Sequence, residues 1–410
     1  MAIYIIDEIM GRGKTTAMIN HINSSGHSER YIFITPYLTE VSRILEACNK
    51  HSFFEPLQKG GKLNNLKVLL KERKNIVSTH ALFSMFDQEV LELVRSGDYT
   101  LIMDEVACVI SKFFITDIDA EVITEDFVAI NEDNEVSWKR DEYTGVMDVY
   151  KNQIEHNDVF AYSDNTWITM MPPSLFTSFK DVFLMTYMFE HQLQRCYFDL
   201  HELAYQRLYV SGDSPETFKL STDPSPATPV DYSKLIRIVQ NRKLNQIGDG
   251  RTALSKAWYT KNYKSDNMKV LKNNLYNFFR NYAKTPTNKN LWTVFCKDDC
   301  SGMDWRKLLS GKGYTKGFLS CNARGTNLYR DRTAAAYIVN RFPNTCVRNF
   351  LAKQGIYLDQ DYFALSEMLQ WIWRTAIRDG KEIYLYIPSK RMRNLLERWI
   401  VDVSKGEVNY

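Results

Sequence analysis

Nowhere does the sequence hold an apolar run long enough to span a membrane, and its first residues carry neither a basic stretch nor a cleavage signal. A chain kept in the cytosol of the cell that makes it is therefore expected. Cysteine is sparse: Cys48, Cys108, Cys196, Cys296, Cys300, Cys321 and Cys346 are odd in number and scattered through apolar segments, so reduced core thiols are expected and a disulfide framework is not. Cys296 and Cys300 are the one close pair, and no second Cys/His pair follows at zinc-ligand spacing. Charge of one sign is missing too: the net charge is only +3, so composition alone points to no polyanionic partner. The chain shows neither a repeat at solenoid spacing nor a recognisable module for sequence-specific DNA reading.

What is present is ample material for folding. Hydrophobic residues make up 44% and charged residues 25% of 410, which predicts two globular units with insertions rather than one core or a disordered chain. "AIYIID", a glycine-rich turn and "KTTAMINHI" read as strand, loop and helix, and "YIFITP" with "EVSRILEACNK" repeats the alternation. "NIVSTHALF" and "YTLIMDEVACVI" add buried strands, so an α/β fold with a parallel sheet covered on both faces is expected. The pattern breaks at 116–135, strongly acidic and poorly periodic, which reads as an insertion spanning about 113–165. "SGDSPETFKLSTDPSPATPVD" reads as a linker or an exposed hairpin. "LWTVFC", "GFLSCNA", "AAAYIVN" and "EIYLYIPS" supply strands for a second α/β unit. The division expected is 1–200, a linker and basic helical region over 201–285, and 286–410.

Two basic stretches have two readings each. In 251–290, Trp258, Tyr259, Tyr263, Phe279 and Tyr282 alternate with lysines. Helical core with a wet lysine face is the first reading, and a stacking surface for single strands is the second. "KGGKLNNLKVLLKERKN" at 59–74 reads first as a charged helix and second as a phosphate-binding edge.

"GRGKTT" carries the most specific chemistry. Gly11 and Gly13 allow a tight turn whose N–H groups face phosphate oxygens, Lys14 reaches the terminal phosphates, and Thr15 places a hydroxyl on Mg²⁺. Gly11, Arg12, Gly13, Lys14, Thr15 and Thr16 are thus the expected ATP-binding set, although Glu8 stands where the full phosphate-loop pattern has glycine. Two acidic pairs compete for the metal. Asp7-Glu8 leaves the same strand that feeds the loop, whereas Asp104-Glu105 ends a separate apolar strand. Asp104 is therefore expected to hold Mg²⁺ through water and Glu105 to orient the attacking water, with Glu8 a solvated loop residue or the partner of a nearby cation.

With "DEVA" at 104–107, the loop resembles motifs II and I of superfamily-two helicases, the DEAD/DEAH-like enzymes with two RecA-like domains. "FITPYLTEVSR" (Thr35, Pro36, Arg43) resembles motif Ia, "VSTHALF" (Ser78, Thr79, His80) motif Ib, and "LMTYMF" around Thr186 the coupling motif III. "CNARGTNLYRDR" resembles motif V through Arg324, Gly325, Thr326 and Asn327, and "LQWIWRTAIRDG" motif VI through Gln370, Arg374 and Arg378. The order of these strings along nearly the whole chain is the specific part. "IMGRGKTTAMI" is also similar to the first motif of herpesvirus-type origin-binding helicases, a viral or mobile-element replication type.

The resemblance implies ATP and Mg²⁺ as cofactors and a nucleic-acid track, DNA ahead of RNA, contacted by Thr35, Pro36, Arg43, Thr79, His80, Arg324 and Thr326. It implies nucleotide contacts from Gly325 and Asn327, and catalytic roles for Gln370, Arg374 and Arg378 beside Asp104 and Glu105. Arg378 follows Arg374 by four where the family has three, a spacing that would keep both on one helix face. With the first strand beginning at residue 2, no upstream adenine-reading segment of the family's kind is expected, and loose base selectivity for ATP is expected with it. The rival readings are a terminase-type packaging ATPase, an ATP-gated scaffold that grips nucleic acid or a host protein without unwinding, and a small-molecule kinase that would leave the second half unexplained.

Overall fold

Runs of isoleucine, valine and phenylalanine too short for a helix become the central strands of the first unit. β1 (Ala2–Asp7), β2 (Arg30–Thr35), β3 (Phe53–Phe54), β4 (Asn75–Thr79) and β5 (Tyr99–Asp104) alternate with α1 (Lys14–Ser24), α2 (Leu38–Ala47), α3 (Lys62–Lys71), α4 (His80–Phe83) and α5 (Gln88–Ser96). The computed structural model describes residues 1–163, 165–224, 230–296, 302–323 and 328–407. The chain divides into two units, Met1–Pro224 with Pro343–Leu358, and Ser225–Phe342 with Asp359–Tyr410.

Beyond β5, the first unit continues through β6 (Ile110–Lys112), α6 (Asp117–Asp126), β7 (Val128–Ile130), β8 (Val136–Trp138), α7 (Asp148–His156), β9 (Asp158–Ser163) and β10 (Thr166–Met170). It then returns with α8 (Ser174–Thr177), β11 (Asp181–Thr186), α9 (Leu193–Leu200), β12 (Gln206–Ser211) and β13 (Lys219–Ser221). The main sheet runs β13-β12-β1-β11-β5-β2-β4-β3, parallel throughout except for the β12-β13 hairpin. β11 thus lies between the strand that feeds the glycine loop and the strand that ends in Asp104. Register aligns their carboxyl ends, Thr186 beside Asp7 and Met185 beside Asp104. The stretch "SGDSPETFKLS" is a hairpin in this sheet, turned at Gly212 with φ +106°.

Between β5 and β11 lies a three-stranded antiparallel sheet, β6-β10-β9, and the β7-β8 hairpin. They share a small core of Phe113, Ile123, Val128, Val136, Ile154, Val159 and Trp167. Where the sequence shows poor periodicity, the structure has α6, capped by the Thr116 hydroxyl accepting from Asp119 N–H at 3.1 Å. The helix escapes a periodicity argument because its buried stripe is thin: Ala120 and Ile123 are buried, while Ile118 and Val122 are exposed.

The second unit has β14 (Ile236–Ile238), α10 (Arg242–Asn245), α11 (Lys256–Asn262), α12 (Asp266–Asn277), β15 (Asn290–Thr293), α13 (Trp305–Leu309) and β16 (Ala334–Tyr337). α14 (Thr345–Lys353) leaves for the first unit before α15 (Gln360–Ile372), β17 (Ile383–Tyr386) and α16 (Lys390–Lys405) complete the second. Its sheet, β14-β17-β16-β15, is parallel throughout. Tyr259, Leu271, Leu275, Phe278, Phe279, Trp292 and Trp305 share its core, while Lys256, Lys261 and Lys269 stay exposed. The basic aromatic stretch is therefore mainly core with a wet lysine face. "GFLSCNA" forms one bridge, Phe318 to Trp292, and then turns at Cys321–Asn322. Among the described residues no helix is long and apolar enough to cross a membrane.

The seat of β15 generates a prediction. The Gly317 carbonyl accepts from Trp292 N–H at 2.8 Å, and a Cβ at Gly317 would lie 2.0 Å from the Asn290 carbonyl oxygen. Gly317→Ala should destabilise the second unit by roughly 2–3 kcal/mol through backbone displacement. Denaturant unfolding with an unchanged midpoint would contradict this packing.

Candidate nucleotide-binding site

β1 ends at Asp7 and the chain turns through Gly11 and Gly13, both at φ +85°, where a Cβ would be strained. Gly13 caps α1 by accepting from Ala17 N–H at 2.8 Å. A Cβ there would also lie 2.4 Å from the Phe218 ring. Phe218 belongs to the β12-β13 hairpin, which the Asn20 side chain fixes to α1 by donating to the carbonyls of Pro215 and Phe218, each at 2.9 Å. Lys14 opens α1, and its ammonium donates to the Glu8 carbonyl and to the Ile9 carbonyl at 3.3 Å. Burial lowers its pKa, opposed by the charges of Glu105, Asp104, Asp7 and Glu8.

Those carboxylates come from two strand ends. Burial pushes the Asp104 carboxyl up to about 6; Glu105 and Glu40 add to the rise, and Lys14 and Arg43 oppose it. Glu105 sits in the left-handed region at φ +68°, its N–H donating to the Met185 carbonyl at 2.9 Å. That conformation costs a non-glycine residue roughly 1–2 kcal/mol, and the pairing to β11 holds it. His80, at the start of α4, donates from Nε2 to the Asp104 carbonyl at 3.0 Å, which ties the end of β4 to the end of β5. Thr186 is buried between the two acidic strand ends, and Gln192 Nε2 donates to its Oγ1 at 3.1 Å and to the Tyr187 carbonyl at 2.6 Å.

Asp7 and Glu8 are both engaged. Asp7 Oδ2 accepts from Phe189 N–H at 2.9 Å, and burial pushes its carboxyl up to about 6 against that bond and the charges of Arg207 and Lys14. Glu8, expected to be a solvated loop residue or the partner of a nearby cation, accepts from Val210 N–H at 3.2 Å through Oε1, which ties it to β12, and its charge acts on the Lys14 ammonium.

The remaining residues divide by location. Arg12, Thr15 and Thr16 are half-buried in the loop and first turn of α1. Thr35 is buried and donates to the Tyr37 carbonyl at 3.0 Å, half-buried Pro36 follows it, and Thr79 pairs beside Thr35. Arg43 holds Glu40 at 3.0 Å on α2, where both feel the Asp104 charge. Arg324, Gly325, Thr326 and Asn327 lie outside the described residues. In the second unit Gln370 and Arg374 are buried and Arg378 is half-buried. The shared helix face expected for the two arginines does not form. α15 ends at Ile372, Thr375 is extended at ψ −174°, and Arg378 sits on a separate short 3₁₀ turn.

The donor set suits Mg²⁺ held jointly with a nucleotide. Among the described residues no group of three or more His, Cys, Asp or Glu side chains could hold an ion alone. Mg²⁺ takes one or two protein oxygens and completes its shell with phosphates and water. Asp104 and the Thr15 hydroxyl provide that number. Phe218 and Asn20 were invisible to motif reading because the hairpin that carries Phe218 lies about two hundred residues downstream of the loop; only the apolar residue inside "SGDSPETFKLS" signals it.

The raised Asp7 value predicts a pH effect. The folded chain holds this proton more tightly than the unfolded one, so ionisation weakens folding progressively as pH rises from the ordinary carboxyl value of 3.8 through about 6. Asp7→Asn keeps the acceptor for Phe189 and should stabilise the protein by ~1–2 kcal/mol at neutral pH. The gain should vanish as pH falls below the unfolded carboxyl value. Thermal midpoints of the two proteins that coincide at neutral pH would refute it.

Comparison with known proteins completes the picture. Residues 230–400 match the family described as the YonV C-terminal Rossmann-like domain. The S. tokodaii Xpd4 structure aligns with a TM-score of 0.51 at 12% identity, covering 97% of this chain and 94% of that one. That likeness speaks for the fold, mixed α/β with parallel sheets flanked by helices. The chain is also 37% identical to the SPbeta prophage-derived uncharacterized protein YonV of Bacillus subtilis (strain 168), across 97% of this chain and 98% of the relative. By the extent and identity of that match, the chain belongs to the YonV family.

Proposed function

We propose that the protein is an ATP-dependent nucleic-acid helicase or translocase of the superfamily-two type. The observation that carries this reading is that Lys14, beside a left-handed glycine loop, lies in the field of Glu105 and Asp104 at the end of β5, with β11 between that strand and the loop strand. The loop N–H groups and the start of α1 face the phosphates, and Lys14 turns from the Glu8 and Ile9 carbonyls to the terminal phosphate oxygens. Asp104 and Thr15 would hold Mg²⁺, which neutralises charge on the phosphates. Glu105, held in its left-handed position by β11, orients the attacking water and takes up its proton. Thr186 lies between the loop strand and the Asp104 strand, where a change at the phosphate can reach both.

Arg374, Arg378 and Gln370 are assigned to the transition-state charge by resemblance, as Thr35, Pro36, Arg43, Thr79, His80, Arg324 and Thr326 are to the nucleic-acid track. Fixed contacts already occupy the side chains of Thr35 and His80, so any strand contact there falls to neighbouring backbone groups. The prophage origin of the YonV relative supports a role in phage or mobile-element replication, with DNA as the track. The narrower herpesvirus-type lineage rests on the "IMGRGKTTAMI" string alone.

ATP hydrolysis with and without single-stranded DNA, duplex DNA and RNA tests the reading. Wild type should be stimulated by one of them, Glu105→Gln should lose about 100-fold or more in kcat, and Lys14→Ala and Arg374→Ala should lose the stimulated rate. Hydrolysis by wild type no faster than by the variants under every condition would sink it and leave an ATP-gated scaffold as the better account.

A further inference from the structure

The basic run at 59–74 splits in two in the folded chain. Its helical lysines are spent on acids: Lys62 on Glu55 at 2.9 Å, Lys67 on Asp87 at 2.6 Å and Glu89 at 2.8 Å, and Lys71 on Glu89 at 2.9 Å. Arg73 and Lys74, in the turn between α3 and β4, go elsewhere. With His27, Lys50, His51, Ser52, Phe54 and Asn75 they line a cavity of about 320 Å³, at the lower end of small-ligand sites. Five of these eight side chains are basic and none is acidic. Among the described residues none of the five is paired with a carboxylate.

The cavity sits at the amino ends of β3 and β4, whereas the glycine loop, Asp104 and Thr79 lie at carboxyl ends. Parallel strands put these at opposite ends of the strands, Thr79 about 13 Å from Asn75 along β4 at ~3.3 Å per residue and the glycine loop further off across the sheet. The wall is built rather than incidental. His51 is 3% exposed, lies 3.2 Å from the Ser25 hydroxyl, and packs edge-on to Tyr31. Arg73 adopts φ +55° just beyond α3, where glycine would be cheaper, and donates to the Ser96 carbonyl at 3.0 Å. Lys74 lies 5.4 Å from the centroid of the Phe54 ring, which is 38% exposed. A cluster of cations beside an open aromatic ring is the chemistry that holds a phosphate and stacks a base.

We propose that this cavity is a second nucleotide-phosphate site, separate from the glycine loop. It takes a nucleoside phosphate, either one unit of a single strand or a free nucleotide, with the phosphate against Lys50, Arg73 and Lys74 and the base on Phe54. The site stands on its own lining and does not rest on the helicase reading.

Its test is fluorescence anisotropy of the full-length protein with a short fluorescein-labelled oligothymidylate. Arg73→Glu/Lys74→Glu is compared with Lys59→Glu/Lys71→Glu, an equal charge reversal on the same run outside the cavity. Binding should weaken about tenfold or more in the first pair and less than about threefold in the second. ATP hydrolysis without nucleic acid should be the same in both. Arg73→Gln/Lys74→Gln should weaken binding in the same direction, which guards against a folding defect in the reversal. A parallel titration with AMP in a Lys14→Ala background reads the free-nucleotide source: a loss specific to the cavity pair there, with oligothymidylate unaffected, also supports the site. If neither probe separates the cavity pair from the control pair, the proposal is overturned. Both probes report even in a protein that hydrolyses no ATP, so this failure is distinct from failure of the helicase reading.

Discussion

Lys14 donates to the carbonyls of Glu8 and Ile9 while the carboxylates of Glu105, Asp104, Asp7 and Glu8 supply the field around it. Burial works against three of these charges, raising Asp7 and Asp104 and lowering Lys14. An arrangement of this kind is stable only if its parts are held by the backbone, because buried charges left to relax would neutralise or separate. The backbone does hold them. Phe189 N–H fixes Asp7, Val210 N–H fixes Glu8, and the left-handed Glu105 is pinned by Met185.

That support traces to one topological choice, the placement of β11 between β1 and β5. Were the loop strand and the Asp104 strand direct neighbours, Glu105 would have no Met185 carbonyl to meet and Thr186 would not lie between the acids. Bringing β11 there requires a crossover after β5, and the chain fills it with the β6-β10-β9 sheet and its small aromatic core. A crossover of about a dozen residues would join these parallel neighbours, so the excursion is far longer than topology demands and has a fold of its own.

Much of this was legible from periodicity and spacing. Short β-branched runs alternating with helical stretches give the parallel sheets, and "YTLIMD" announces a buried strand ending in an acid because nothing else in it is polar except threonine. Other features lay beyond reach for specific reasons. α6 buries too narrow a stripe to show a period. Arg374 and Arg378 have helical spacing, yet Thr375 is extended, and spacing alone cannot see a break without glycine or proline. Glu8 looks like a loop acid until β12 arrives beside it. The packing of Phe218 on Gly13 depends on a hairpin distant in sequence, and long-range contacts of that sort leave no local signature.

α14 belongs to the first unit, although the chain on either side of it belongs to the second. Phe350 packs on Phe160 with ring centroids 6.0 Å apart, and Lys353 lies 4.2 Å from the centroid of the Tyr162 ring. The backbone therefore passes between the units three times rather than once. A fragment cut at the natural-looking boundary near residue 225 would carry α14 away from its seat, exposing Val347, Phe350 and Leu351 on one piece and the β6-β10 surface on the other. Each half cut there would lack part of the packing that its core relies on.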